Sequence, residues 1–409
     1  MQVVLARQLG PELFGVFGAG LAILMLLTPL ASFGTGPYWL KVFGQEGWQG
    51  MRWISPSLRL VTTGTLLSFT GFVAWVQWGP NNLPGKAMLF LMAFHLVSQV
   101  AVELVSSKLQ LEERFKALSL WQLSHHGLRL CLVLLLLPFI DAEHAWLVGL
   151  AYAVTGILLL SVAAGQLNDM RRGRFALQGH REEDAADVTE LIAIREVARK
   201  AWPFGMAALA YLVYFQSDVA LVKHLIGEET AGYYNVSFTI MAAVYLTPSV
   251  IFERFLLPKI HRWAHQDRAK MRSVYRMGNH AMFWAGCTVA LLIWLLSDWG
   301  VVLVFGEGYQ ASIAYLKVFC FSVPAMFVSF CAGALLASGN TAKMKVYAMM
   351  IVAVFNVVSN LIFIPLYGAL AAAWTTVASQ FLLALLFMLL VRTFIFPSTA
   401  PGLPLASGE

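Results

Sequence analysis

The sequence predicts an all-α polytopic membrane protein made of two parallel, pseudo-symmetric six-helix lobes. Three observations predict it. Apolar residues make up 59% of the 409-residue chain and charged residues 12%, about half the charge of a typical globular domain. About eleven stretches reach the roughly 20 mostly apolar residues that a spanning helix needs. Short motifs of the first half recur in the second, in the same order. The first two exclude soluble enzymes, nucleic-acid binders and secreted disulfide scaffolds.

The spans fall near 14–34, 57–78, 87–106, 118–140, 145–165, 201–224, 232–253, 279–299, 313–337, 344–365 and 368–391. Long continuous apolar runs exclude a membrane β-barrel, whose strands alternate. Residues 1–165 make the first lobe. The polar stretch 166–200 is a linker, in which Asp187-Val-Thr-Glu190 reads as a capping box opening an amphipathic helix. Residues 201–392 make the second lobe, and the Pro/Ser/Gly-rich tail 393–409 reads as disordered. The opening MQVVLA reads as the last turns of a helix, so a truncated first span and a parent design of twelve are expected.

Lys and Arg concentrate on cytoplasmic loops. Placing the loops at 35–56, 107–117, 166–200, 254–278 and 338–345 inside, with Arg59 and the C-terminus, puts 23 of the 28 basic residues there. The chain is therefore expected in a cytoplasmic (inner) membrane with its C-terminus cytoplasmic. Arg171, Arg172 and Arg174 fit ordinary anchoring of this kind. The four cysteines lie in apolar stretches with no CxxC spacing, so no metal site is predicted. No phosphate-binding GxxxxGK[ST] and no dinucleotide GxGxxG is present.

The duplication rests on three matches. Arg7 precedes Gly10-x4-Gly15, and Lys223 precedes Gly227-x4-Gly232; Leu27-Thr-Pro29 recurs as Leu246-Thr-Pro248; Pro138 and Pro365 close corresponding spans. Halves with an even number of spans are parallel repeats, a transporter design with its substrate site between the lobes near the midplane.

ARQLGPELFGVFG at 6–18 and LASFG at 30–34 resemble polysaccharide or O-antigen flippases of the Wzx type, in the MATE-like multidrug/oligosaccharidyl-lipid/polysaccharide superfamily. Pro203-Phe-Gly205, Gln216-Ser-Asp218, Gly232-Tyr-Tyr-Asn235, Leu257-Pro-Lys259, FGEGYQAS at 305–312 and Asn356-Val-Val-Ser-Asn360 agree. The resemblance covers residues 1–392. It implies a V-shaped, non-enzymatic transporter moving undecaprenyl-pyrophosphate-linked sugar units to the periplasmic leaflet for O-antigen, capsule or exopolysaccharide synthesis. Its partners would be that glycan lipid, membrane lipids and polysaccharide polymerase machinery, with one chain forming both lobes and no nucleic acid. No cofactor beyond H⁺ or Na⁺ is implied.

Ionisable groups inside spans are costly and mark functional candidates. Arg129 lies midway along 118–140, and Gln122, His125 or His126, and Arg129 recur at three- and four-residue steps. A guanidinium suits a pyrophosphate; the alternative is a structural pair with a carboxylate. His95, Gln99 and Glu103 form a second stripe that lines the lumen or bonds another helix; Glu103, nearer the cytoplasm, could also take a proton or pair with a basic group as a coupling or gating residue. Counting back nine residues from the matching prolines aligns Arg129 with Asn356, so both are expected to face the cavity from opposite lobes, Asn360 following one turn later. Asp218 either couples transport to H⁺ or Na⁺ or pairs with Lys317 or Lys223. Lys317 could attract phosphate or close an outer gate, and Arg254, beside Glu253, is a gate or a solvated pair. The rivals are a cation-coupled multidrug exporter, a membrane glycosyltransferase or polymerase, and a lipid II flippase.

Overall fold

An apolar slab offers backbone amides no water, so each spanning stretch must close its hydrogen bonds internally as a helix. The computed structural model describes residues 1–79, 81–179, 192–249, 268–336 and 339–396. The first half holds α1 (Gln2–Ser32), α2 (Thr35–Glu46), α3 (Ile54–Trp78), α4 (Leu83–Met92), α5 (Phe94–Leu111), α6 (Phe115–Leu136) and α7 (Trp146–Arg171). The second holds α8 (Ile194–Leu225), α9 (Glu228–Ser249), α10 (Arg268–Phe305), α11 (Ser312–Phe319), α12 (Val323–Leu335), α13 (Gly339–Tyr367) and α14 (Ala369–Leu390). Each expected span falls on these helices as far as its residues are described; 250–253 and 337 lie outside the described residues. Nine continuous helical stretches among the described residues are long and apolar enough to cross a membrane, the first of them, Gln2–Trp78, holding both α1 and α3.

Large apolar side chains such as Leu67, Leu135, Trp284, Leu295 and Phe381 are exposed around the bundle. Water would not tolerate so wide an apolar surface; lipid does. Inside, Phe14, Phe17, Trp39, Trp53 and Tyr234 are fully buried. The span helices extend into the stretch expected as a linker, α7 to Arg171 and α8 from Ile194. The capping box at Asp187, the pair Glu253 and Arg254, Leu257-Pro258-Lys259 and the tail from 397 lie outside the described residues.

The halves meet where α1 crosses α9, at the matched glycine motifs. Gly10 and Gly227 both have positive φ, +70° and +144°, conformations that glycine adopts without strain. After these breaks the helices cross reciprocally. A Cβ on Gly15 would lie 1.8 Å from the carbonyl oxygen of Glu228, and one on Gly232 would lie 1.9 Å from that of Pro11. Gly18 faces Asn235, its own counterpart in the alignment, and a Cβ there would be 2.2 Å from the Asn235 amide nitrogen. Small residues let two backbones approach this closely in a membrane.

The end of the molecule away from the basic loops is tied by bonds between the halves. Arg7 donates to the carbonyls of Leu303 and Val304, the latter at 2.8 Å. Tyr309 donates to Ala6 O at 2.7 Å, Trp75 to His224 at 2.9 Å, and Lys223 to Asn81 at 2.6 Å. At the basic end the Lys200 ammonium sits 4.3 Å from the Trp53 ring centroid, and Lys41 lies 5.9 Å from that of Phe204.

Candidate functional site

In each half a buried polar cluster gathers predicted site residues. The first joins α5, α6 and α7. On α6 the buried side chains are His125, Arg129 and Val133, a stripe in four-residue steps. Arg129 Nη2 donates to His95 Nδ1 at 3.2 Å and to His125 Nε2 one turn away. Its guanidinium lies 4.2 Å from the centroid of the Tyr152 ring. The imidazoles of His95 and His125 stack at 5.4 Å, and Tyr152 meets His95 edge-on at 5.2 Å.

A guanidinium only donates. Both ring nitrogens that face it must therefore be lone-pair acceptors, which places the ring protons on His95 Nε2 and His125 Nδ1. Those two atoms, with Arg129 Nε and the Tyr152 hydroxyl, are buried without a protein hydrogen-bond partner. The cluster thus holds one positive charge and an excess of donors. Arg129's described partners are two imidazoles and an aromatic ring, none of them an anion.

The second cluster joins α8, α9, α13 and α14 around Asp218, which is buried. Asn360 Nδ2 donates to Asp218 Oδ1 at 2.7 Å, Tyr234 donates to Oδ2 at 2.9 Å, and Thr376 donates to the same oxygen. Asn360 Nδ2 is also 3.2 Å from Asn356 Oδ1, which Ser217 reaches at 3.4 Å. Asn356 Nδ2 faces Ser379 Oγ at 3.4 Å. This carboxylate is held by neutral hydroxyls and amides, and Asn360 Oδ1 is left buried without a partner.

Of the predicted site residues, the structure brings Arg129, His95 and His125 together, and separately Asp218, Asn356 and Asn360. Among the described residues, the structure does not bring the other predicted ones into either cluster. Gln122 is exposed, although it lies two turns before Arg129 and within about 20° of its direction around the helix: burial on this face of α6 begins at His125. Arg129 and Asn356 do not face a shared cavity in this conformation: they are 4% and 0% exposed, each bonded within its own half. Lys317 does not reach Asp218. It binds both carboxylate oxygens of Asp298 at 2.8 Å, across the turn that joins α10 and α11. Lys223 is likewise engaged, with Glu228 at 3.2 Å. On α5, Gln99 and Glu103 are half-buried, and Glu103 takes a hydrogen bond from Ser32 on α1, away from Arg129. Arg254 lies outside the described residues.

Sequence reasoning missed Tyr152, Tyr234 and Thr376. A signal was present for Tyr234: aligning the glycine motifs sets it opposite Phe17, a hydroxyl where the other half has none. The second half also contains a cavity of about 200 Å³ lined by Tyr211, Tyr214, Ser329, Lys345 and Phe387. The two tyrosines thus line this cavity, although Tyr211 and Tyr214 share roughly the helix face of Asp218.

A model of the family described as polysaccharide biosynthesis protein matches residues 1–263. An uncharacterized membrane protein of Methanocaldococcus jannaschii is 22% identical over 387 residues, covering 92% of this chain and 89% of that one. Among solved structures, the lipid II flippase MurJ in an inward closed conformation superposes with a TM-score of 0.70 at 13% identity, over 95% of this chain and 83% of its own. An inward-facing multidrug resistance transporter of the MATE family, in the MOP superfamily, gives 0.69 at 14%, over 95% and 91%. The fold is the one these flippases and transporters share, and by its match over more than half its length the chain belongs to the polysaccharide biosynthesis protein family.

Proposed function

We propose that this chain flips undecaprenyl-pyrophosphate-linked oligosaccharide units from the cytoplasmic to the periplasmic leaflet by alternating access, serving O-antigen, capsule or exopolysaccharide synthesis. The orientation that goes with this reading puts the basic loops and the C-terminus in the cytoplasm. The observation that carries it is Arg129: a buried guanidinium whose partners among the described residues are all neutral. An ion pair with a carboxylate would be strong and hard to exchange. Bonds to neutral imidazoles lack an opposite charge, and a pyrophosphate oxygen would displace them because it adds charge–charge attraction and can accept two parallel N–H bonds from the guanidinium. The unpartnered donors on His95, His125 and Tyr152 would complete the anion's shell when the helices part. Similarity to a lipid II flippase supports a lipid-linked pyrophosphate as cargo in general; it does not choose the sugar.

Asp218 favours a coupling ion. Its oxygens, with Asn360 Oδ1 and the hydroxyls of Tyr234 and Thr376, form an oxygen-rich niche suited to a proton or a hard monovalent cation. The same observation favours the second reading, a cation-coupled multidrug exporter. Substrate charge separates the two, since a cationic drug would be repelled by Arg129.

The test is leaflet-resolved flipping in proteoliposomes of a labelled undecaprenyl-pyrophosphate oligosaccharide, with and without a Na⁺ or pH gradient. We expect flipping by the protein, a loss of tenfold or more in Arg129→Ala, and loss of the gradient response in Asp218→Asn. Equal flipping by Arg129→Ala would remove the site. Export of a cationic dye without any flipping would replace the function.

A further inference from the structure

We propose that His224 and Trp75 form a proton-sensitive latch between the two halves, at the end away from the basic loops. The argument starts from what each atom can do. The indole Nε1 of Trp75, on α3, is only a donor. It lies 2.9 Å from His224 Nε2, at the end of α8, so that nitrogen carries a lone pair. His224 Nδ1 lies 2.9 Å from the carbonyl of Ala220, which only accepts, so Nδ1 carries the ring proton. The two contacts together admit only neutral imidazole. A second proton would have to enter at Nε2, where it would point at the indole N–H, and the bond between the halves would be lost.

The charges nearby add to this. Lys223 is adjacent in sequence, and its ammonium lies 5.7 Å from the Trp75 ring centroid, so the ring already faces one cation. That ammonium also donates to Asn81 and pairs with Glu228, at the start of α9. From α4, Lys86 is held by the carbonyl of Gln77 at 3.1 Å. From α1, Glu12 is engaged by Asn82 at 3.1 Å. From α3, Trp75 presents no charge. The two carboxylates nearby are thus already held by partners, and an imidazolium at 224 gains no new anion. The His224 side chain is exposed, so a proton reaches it from solution without crossing the bundle.

The bond ties the tip of α3 to the tip of α8, next to the Lys223–Asn81 bond, so it acts on the opening of this end. Histidine is the side chain whose ordinary titration spans about pH 5 to 8. The latch is present while His224 is neutral and is lost as pH falls. A net hydrogen bond of ordinary strength corresponds to a shift of about three- to tenfold in the closed-to-open ratio. In the orientation proposed above this end faces outward, so an external proton favours outward opening; that direction rests on the proposed function, but the latch does not.

The test is the distance between spin labels at Gln77→Cys and Leu225→Cys, with Cys131→Ser and Cys287→Ser, measured in substrate-free protein in nanodiscs from about pH 8 to about pH 5.5. We expect a longer-distance population that grows about three- to tenfold on acidification. His224→Gln keeps an acceptor for Trp75 but cannot take the proton, and should stay closed at both pH values. Trp75→Phe should raise the open population at both and flatten the response. An unchanged distribution in the parent, or a full pH response in His224→Gln, would overturn the latch. Because no substrate is present, the result does not depend on what is flipped.

Discussion

The two halves meet through matched glycine motifs and hold opposite charges in their interiors. Around the crossing of α1 and α9 they are reciprocal: Gly15 sits on the carbonyl of Glu228 as Gly232 sits on that of Pro11. A few residues further along, the symmetry of side chains ends. Phe17 packs against Tyr152 at 5.8 Å in the first half, whereas Tyr234 donates to Asp218 in the second. Arg129 and Asn356 stand nine residues before matching prolines, yet one is a cation among neutral acceptors and the other an amide beside a carboxylate. Backbone geometry at the crossing tolerates no side chain on either partner, so it is preserved in both halves. The interior polar positions answer only to whatever charge each half must hold, so they differ.

The largest expected effect breaks the shared frame. Gly232→Leu or Gly15→Leu would drive a side chain into a carbonyl of the facing helix. Overpacking costs about 1–3 kcal/mol where side chains can yield; here backbone must move, so we expect the upper end or more, and little monodisperse protein. Gly300→Ala is the control, since no atom lies within 4 Å of its Cβ position. Unaltered melting of Gly232→Leu would mean that the crossing is not rigid.

The next prediction sharpens the contrast between the clusters. Asp218→Leu takes the carboxylate acceptor from Tyr234 and leaves Thr376 and Asn360 only their second acceptors, the Ala372 carbonyl and Asn356 Oδ1; an orphaned buried donor costs about 1–3 kcal/mol. Arg129→Met removes a buried charge with no counter-ion among the described residues, and with it the desolvation cost of several kcal/mol that such an ion carries. Asp218→Leu should therefore melt earlier than the parent and Arg129→Met should not, although both lose flipping. If Arg129→Met melts as early as Asp218→Leu, Arg129 is a structural lock and the proposed anion site fails.

These clusters also mark what could be read from the sequence. The spans were legible because about 20 apolar residues in a row have few alternatives. The glycine motifs were legible as repeats, but their contact with each other was not, since spacing along a chain does not say which surface meets which. Arg129, His125 and His95 were legible because charge inside a span is rare. Tyr152 and Thr376 were not, because one hydroxyl in an apolar helix most often signals packing. Gln122 shares the face of Arg129 two turns away, but a shared face does not say how far along the helix burial extends, and Gln122 lies beyond it.

The smallest effect concerns Lys317, for which depth read from sequence offered Asp218 as one partner. A lysine in the outer half of a span invites a distant carboxylate such as Asp218. The chain offers a nearer one: Asp298 lies near the end of α10, and the turn at 306–311 folds α11 back so that Lys317 reaches both its oxygens. Trp294 also lies within 5.2 Å of the ammonium. The pair is solvent-accessible, with 30% of the lysine side chain and 67% of the aspartate side chain exposed, so screening leaves it worth about 0–1 kcal/mol. Lys317→Met should therefore shift the melting temperature only slightly and leave flipping within about twofold of the parent. Asp298→Asn should do the same, because it breaks the same pair from the other side. A tenfold loss in Lys317→Met with none in Asp298→Asn would show the ammonium acting on something besides Asp298. It would also return Lys317 to the substrate path, making the first half's cation cluster one of two anion sites rather than the one that sets the halves apart.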